Sequence, residues 1–218
     1  MFELIKNILN SISKMLYVNK CVVCNKNAEE FICQNCSKEI KFLSPYPIKI
    51  YKSVPVYCVS LYETTIKKLI KCLKFYRQKN ASIPLSKVLF QYFSKQELNK
   101  NYIIIYPPTF FSKNIRRGYC HMDILAEEFS KLTNYKIEKK LIKKIKYTKP
   151  QYKSHNRKKN IQDSFEINRD LIEQYKNVPI LLMDDITTSG ATVETIIDIL
   201  LNNGIKDITC LVAAKAGK

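Results

Sequence analysis

The stretch that most constrains this chain is VPILLMDDITTSGATVETI, Val178 to Ile196. An apolar run of strand length meets two aspartates, then a row of small and hydroxylated residues, then apolar residues at helical spacing. A short apolar run without alternation reads as a strand buried on both faces, as in a parallel sheet covered by helices. In such sheets ligands bind beyond the carboxyl ends of the strands, where Asp184 and Asp185 fall, just after Ile180–Met183 leaves the core. Thr187, Thr188, Ser189, Gly190, Ala191 and Thr192 then form the turn into a helix. A helix start offers N–H groups without intrahelical acceptors and a partial positive charge, which suits a phosphate. The hydroxyls add donors. Gly190, one of four glycines in 218 residues, lets the backbone approach an anion closely or take positive φ. The two carboxylates accept hydrogen bonds from vicinal hydroxyls of a sugar, so the stretch reads as a phosphosugar site. A plainer alternative has one aspartate capping a turn and Thr188 or Ser189 as the helix N-cap. The chain contains no G-x-x-x-x-G-K-[ST] loop, which excludes a Walker site.

The remaining chain repeats the strand–helix alternation. Pro-punctuated residues after position 44 lead into one or two strands, with Val54 to Leu61 the best candidate. Ile66, Leu69, Ile70 and Leu73 recur at i, i+3, i+4, i+7 and predict an amphipathic helix, with lysines 67, 68, 71 and 74 largely on its other side. A second helix starts near Pro84. Tyr102–Tyr106 is a buried strand in form, ended by two prolines, and MDILAEEFSKLTN is a third helix. Residues 146–163 are polar, basic and unpatterned, which predicts a mobile loop. After Ile180–Met183 come a helix stopped at Gly204 and a last strand over DITCLVAAK. The whole predicts an α/β fold, a parallel doubly wound sheet flanked by helices, over residues 46–218, preceded by a small module over residues 1–45.

That module carries Cys21-x2-Cys24, eight residues, then Cys33-x2-Cys36. Two such hooks close a tetrahedral all-thiolate site with no open position for water, which predicts structural zinc rather than catalytic metal. So short a segment builds no core of its own, so the metal largely folds it. Cys58, Cys72, Cys120 and Cys210 lack partners at ligand spacing and read as small apolar residues. The first twenty residues have an amphipathic pattern, with no continuous apolar segment or small-residue cleavage site. They predict a surface helix rather than a signal peptide. No apolar run reaches the roughly 18 residues that span a bilayer, and a cytoplasmic location is expected.

The formal net charge is +18, from 37 Lys and Arg against 19 Asp and Glu. An anionic partner, polyphosphate or nucleic acid, is one explanation; a lysine-rich composition shared with Ile, Asn and Tyr is another. Clustering is more telling. Lys131 to Asn160 holds twelve basic residues and one acid, Glu138, and its Tyr135, Tyr147 and Tyr152 suit base stacking beside backbone neutralisation. A solvated lysine face explains the same residues.

ILLMDDITTSGAT resembles the ribose-phosphate signature of type I phosphoribosyltransferases, which bind phosphoribosyl pyrophosphate (PRPP). Together with the four cysteines, LIKCLKF, RRGYCHMDILA and TKPQYKSHNRKKNIQDSF, it resembles the ComF family of competence proteins from Cys21 to the C-terminus. The resemblance implies that Asp184 and Asp185 meet the ribose hydroxyls and Thr187 to Thr192 the 5-phosphate. It implies that Arg116, Arg117 and Gly118 lie near pyrophosphate, and that a flap with Gln151, Arg157 and Asn160 closes over it, with Mg2+ accompanying PRPP. It further implies a role in natural transformation, handling incoming single-stranded DNA on the cytoplasmic side with DNA-uptake or processing proteins. A phosphoribosyltransferase of nucleotide metabolism, acting on a nucleobase or an amide nitrogen, and a non-catalytic PRPP sensor are the alternatives. One departure is local: the family usually reads R-G-F-N-Q where this chain has Arg117-Gly118-Tyr119-Cys120-His121. Nothing in the sequence orients His121 as a base, and His155 reads as solvated.

Overall fold

The apolar runs read as strands assemble into one sheet. A computed structural model describes residues 19–28, 30–96, 98, 100–108, 118–145 and 164–217; the N-terminal helix and the basic 146–163 loop expected from the sequence lie outside them. In chain order the described elements are α1 (Gln34–Lys38), β1 (Lys49–Tyr51), β2 (Val54–Leu61), α2 (Thr64–Phe75), α3 (Ser82–Phe93) and β3 (Ile103–Ile105). They continue with α4 (His121–Thr133), β4 (Lys136–Ile137), β5 (Ile142–Lys144), β6 (Phe165–Ile167), α5 (Arg169–Tyr175), β7 (Ile180–Thr187), α6 (Ala191–Asn202) and β8 (Ile208–Lys215).

The sheet order is β1-β2-β8-β7-β3-β4. Five strands run parallel, and β1 pairs antiparallel with β2 at the edge. The chain steps outward from β3 to β4, then returns to β7 and β8 on the other side of β3. The order therefore reverses between β3 and β7, and such a switch point opens a crevice beyond the strand ends.

Both faces are covered, which explains the unbroken apolar runs. On one face Ile66, Leu69, Leu73, Leu85, Leu89 and Phe129 of α2, α3 and α4 pack on Val59, Leu181, Met183 and Leu211. On the other, Val193, Ile196, Ile197 and Leu200 of α6 pack on Ile180, Leu182, Cys210 and Val212. Cys58, Cys72 and Cys210 are buried core residues, and Cys120 is partly buried.

Three details depart from the pattern reading. β7 continues through the two aspartates to Thr187, because its backbone pairs with β8 out to Thr187↔Lys215. β5 and β6 form a separate antiparallel pair, too short to show alternation. Helix α5, at Arg169–Tyr175, has no buried residue and so no periodic stripe to betray it.

Candidate functional site

Side chains alternate across a strand, and this rule separates the two acids. Leu181 and Met183 face the α2–α4 layer while Ile180 and Leu182 face α6. Asp185 continues the first series and Asp184 the second. Asp185 enters the α2–α4 layer, and Asp184 lies beside it at the carboxyl end of β7, next to the β3–β7 switch point, with its carboxyl close enough to feel the Asp185 charge.

Asp185 is buried, 5% exposed. Its Oδ2 accepts from Lys74 Nζ at 2.6 Å and from His121 Nε2 at 2.7 Å. Burial alone would raise this carboxyl, but the Lys74 charge and the His121 hydrogen bond outweigh it and hold it well below the usual carboxylate range. Asp185 is therefore an anion bolting the end of α2 and the start of α4 to β7. Asp184 is only partly buried, and its Oδ1 accepts the Asp185 N–H at 2.9 Å. Burial, reinforced by the Asp185 charge, pushes its carboxyl up to about 7.

Beyond Thr187, residues Thr188 and Ser189 are exposed. Gly190 is the N-cap of α6 at φ +82, with no side chain capping the helix. Gly190, rather than Thr188 or Ser189, therefore occupies the N-cap position, and the Ser189 hydroxyl accepts only a long bond from the Ala191 N–H, at 3.5 Å. A side chain at Gly190 would be strained at that φ, and its Cβ would sit tightly, 3.2 Å from Glu194 Oε1. Glu194 is buried and pairs with Lys49 of β1. Thr192 and Ala191 form the first turn of α6 rather than the turn before it.

Of the residues expected near pyrophosphate, Gly118 is described: it is exposed at φ +77. Arg116, Arg117, Gln151, Arg157 and Asn160 lie outside the described residues. Next to Gly118, the Tyr119 hydroxyl donates to the Leu73 carbonyl at the end of α2. At the end of β3, the Tyr106 hydroxyl donates to Asp123 Oδ1 at 2.6 Å. This loop and β3 thus converge on the same end of the sheet as Asp184 and Asp185.

Lys74 and His121 are the participants that sequence reasoning missed. Lys74 is one of the lysines that the pattern puts on the other side of α2, yet it lies four residues after Ile70 and so continues the buried stripe. That spacing was the available signal. His121, the first residue of α4, is oriented by Asp185, a contact that only the fold supplies. The described part of the Lys131–Asn160 cluster is also less available than its composition suggests. Lys131 pairs with Glu128 and Lys139 with Glu127, and the Tyr135 ring packs edge-on against Tyr102 at 5.6 Å.

In the N-terminal module, the Sγ atoms of Cys21, Cys24, Cys33 and Cys36 all lie within 4.8 Å of one another. A tetrahedron of thiolates around a metal at about 2.3 Å has edges of about 3.8 Å, so four sulfurs fit one ion with no position left open. Burial would raise the Cys21 thiol, but backbone hydrogen bonds from Cys33, Cys24 and Val23 outweigh it and bring it down to about 7, the environment of a ready thiolate. The knuckle is fastened to the core: Cys72 Sγ contacts the Val22 carbonyl at 3.2 Å and Thr65 Oγ1 donates to Glu39 at 2.8 Å.

The parallel sheet flanked by helices is the phosphoribosyltransferase-like fold, and residues 115–218 match the phosphoribosyl transferase domain family. Over 210 residues, 90% of each chain, the sequence is 23% identical to Competence protein F of Haemophilus influenzae. Over 196 residues it is 25% identical to the DNA utilization protein YhgH of Escherichia coli, covering 84% of this chain and 85% of that one. The chain is a homologue of competence protein F, as the sequence resemblance implies. Among solved structures it is similar to a hypoxanthine phosphoribosyltransferase from Staphylococcus aureus, at 15% identity over 64% of each chain and a TM-score of 0.39. No helix among the described residues is long and apolar enough to cross a membrane.

Proposed function

We propose that this competence-related protein binds PRPP at the carboxyl end of β7 and acts in the handling of single-stranded DNA during natural transformation. The observation that carries the reading is the uncapped, glycine-led start of α6 immediately beyond Asp184 at the switch point. There the 5-phosphate takes the amides and hydroxyls of Thr187 to Thr192. The ribose hydroxyls donate to Asp184, whose Oδ1 also accepts the Asp185 N–H, while Asp185 holds the strand end in place through Lys74 and His121. Arg116, Arg117, Arg157 and Asn160 are assigned to pyrophosphate. Mg2+ is bound mostly by substrate phosphates and at most one or two carboxylates, so Asp184 is the residue that fits it here. When bound there, Mg2+ would supply charge neutralisation for pyrophosphate.

If the bound donor reacts, positive charge grows at the anomeric carbon and negative charge on pyrophosphate. Fixed cations then supply most of the acceleration, and closure over the site excludes water. Zinc is the ion we assign to the four cysteines, in a structural role. Titration calorimetry with PRPP and Mg2+ tests the site: Asp184→Asn should abolish detectable binding while circular dichroism stays unchanged. Unaltered affinity in that folded variant would refute the assignment. Pyrophosphate release in the presence of candidate nitrogen acceptors separates a transferase from a PRPP sensor.

A further inference from the structure

A cleft of about 830 Å³ separates the four-cysteine knuckle from the turn that follows α2. Its knuckle wall includes Lys20, Asn25 and Phe31; the facing wall is Arg77, Gln78, Lys79 and Asn80. Three cations line it and no carboxylate does. At its lip α2 ends in Phe75 and Tyr76, which are 60% and 63% exposed. Arg77 has φ +55, a conformation uncommon outside glycine. It turns the chain back sharply, so Tyr76 stays outside while Arg77 and Lys79 line the cleft. Lys79 Nζ lies 5.4 Å from the Tyr119 ring, fixing that cation in place. Across the gap Asn25 and Phe31 also have positive φ, so both walls are bent segments rather than regular elements.

We infer that this cleft is the seat for single-stranded DNA, an inference that rests on the DNA-handling role proposed above and adds where the strand lies. Exposed aromatic faces stack on bases of any sequence, and neighbouring cations neutralise the backbone. The described Lys131–Ile145 segment does not match this combination, because its tyrosine is packed against Tyr102 and offers no open face. The seat also adjoins the phosphoribosyl site: Lys74, which grips Asp185, lies two residues before Tyr76.

Fluorescence anisotropy with a labelled oligo-dT of about 15 nucleotides, the zinc-loaded full chain and about 50 mM salt tests this directly. The Tyr76→Ala/Arg77→Ala/Lys79→Ala variant should bind about ten-fold or more weakly, with a shallower salt dependence. Tyr76→Phe, which keeps the stacking face, should stay within about two-fold of wild type. Photocrosslinking of iododeoxyuridine oligomers should label Tyr76 or Phe31. Wild-type affinity in a folded triple variant that retains its zinc overturns the inference alone. No oligonucleotide binding by the wild type at low salt overturns it together with the DNA-handling role. Preference for a uridine oligomer over dT overturns DNA as the occupant.

Discussion

In the knuckle, four identical donors lie between Cys21 and Cys36, brought together by two short hooks of local chain. Around Asp185 the partners are Lys74, His121 and the aspartate itself, delivered by the end of one helix, the start of another and a central strand. The first cluster is encoded by spacing and the second by topology. The difference is also energetic. Thiols left without a metal have little to hold them together, whereas Asp185 already has its counter-charges inside the protein. Removing a component should therefore act locally and drastically in the knuckle, and through the core at the crest.

Metal removal gives the largest expected effect. Structural zinc in small domains contributes about 10–16 kcal/mol of apparent binding free energy, which is folding free energy for the segment that binds it. Chelation, or Cys36→Ser, should abolish amide protection over residues 20–40 while β7 and β8 stay protected in hydrogen exchange. Val22, Val23, Ile32 and Ile40 pack on the α2–α4 core, so the melting temperature of the remainder should also fall. Retained protection across the knuckle after the metal is stripped would show that tertiary packing, not the ion, organises it.

The second break falls on the crest. Lys74→Ala leaves Asp185 buried with His121 as its remaining partner, and breaking a buried pair in this way typically costs about 3–5 kcal/mol. Lys74→Met keeps the aliphatic stem against the core and should give a smaller loss of stability. Equilibrium urea unfolding of the two variants measures both. A loss below about 1 kcal/mol for Lys74→Ala would place this pair with weak surface ion pairs and remove Asp185 as the bolt of the fold.

The same contrast explains what could be read before the fold was known. The four cysteines, the apolar strands Val54–Leu61 and Ile180–Met183 and the helices α2, α3, α4 and α6 announce themselves because each has a local spacing or period. The Asp184–Thr192 run also has a local spacing, and the phosphosugar role read from it is the one proposed above. What stayed hidden depends on alternation carried through the strand end. Two adjacent aspartates look equivalent in a sequence, yet the fold seats Asp185 between Lys74 and His121 and leaves Asp184 without either contact. Residues at opposite ends of two helices meet there only because the sheet order reverses between β3 and β7. The short β4, β5 and β6 carry too few residues for a pattern, and the exposed α5 buries no stripe at all.

The finest test separates the two acids by pH. Asp184 carries a carboxyl raised from 3.8 to about 7. Between those values the native state holds a proton that the unfolded chain releases. Stability from this group is therefore fully present below about pH 4 and is lost as pH rises through about 7. Asp185 has the opposite sign: held low by Lys74 and His121, its contribution is present above the ordinary carboxylate range and lost only in stronger acid. Asp184→Asn removes the first titration and leaves the second. The variant should melt a few degrees above wild type at about pH 8, and the gap should narrow steadily toward about pH 4. Stability gained together with lost PRPP binding would mark Asp184 as a residue kept for its ligand at the expense of the fold. Thermal melts across this range check it; parallel curves for the two proteins would mean that Asp184 is already ionised like any surface acid, and that the two carboxylates differ in position but not in environment.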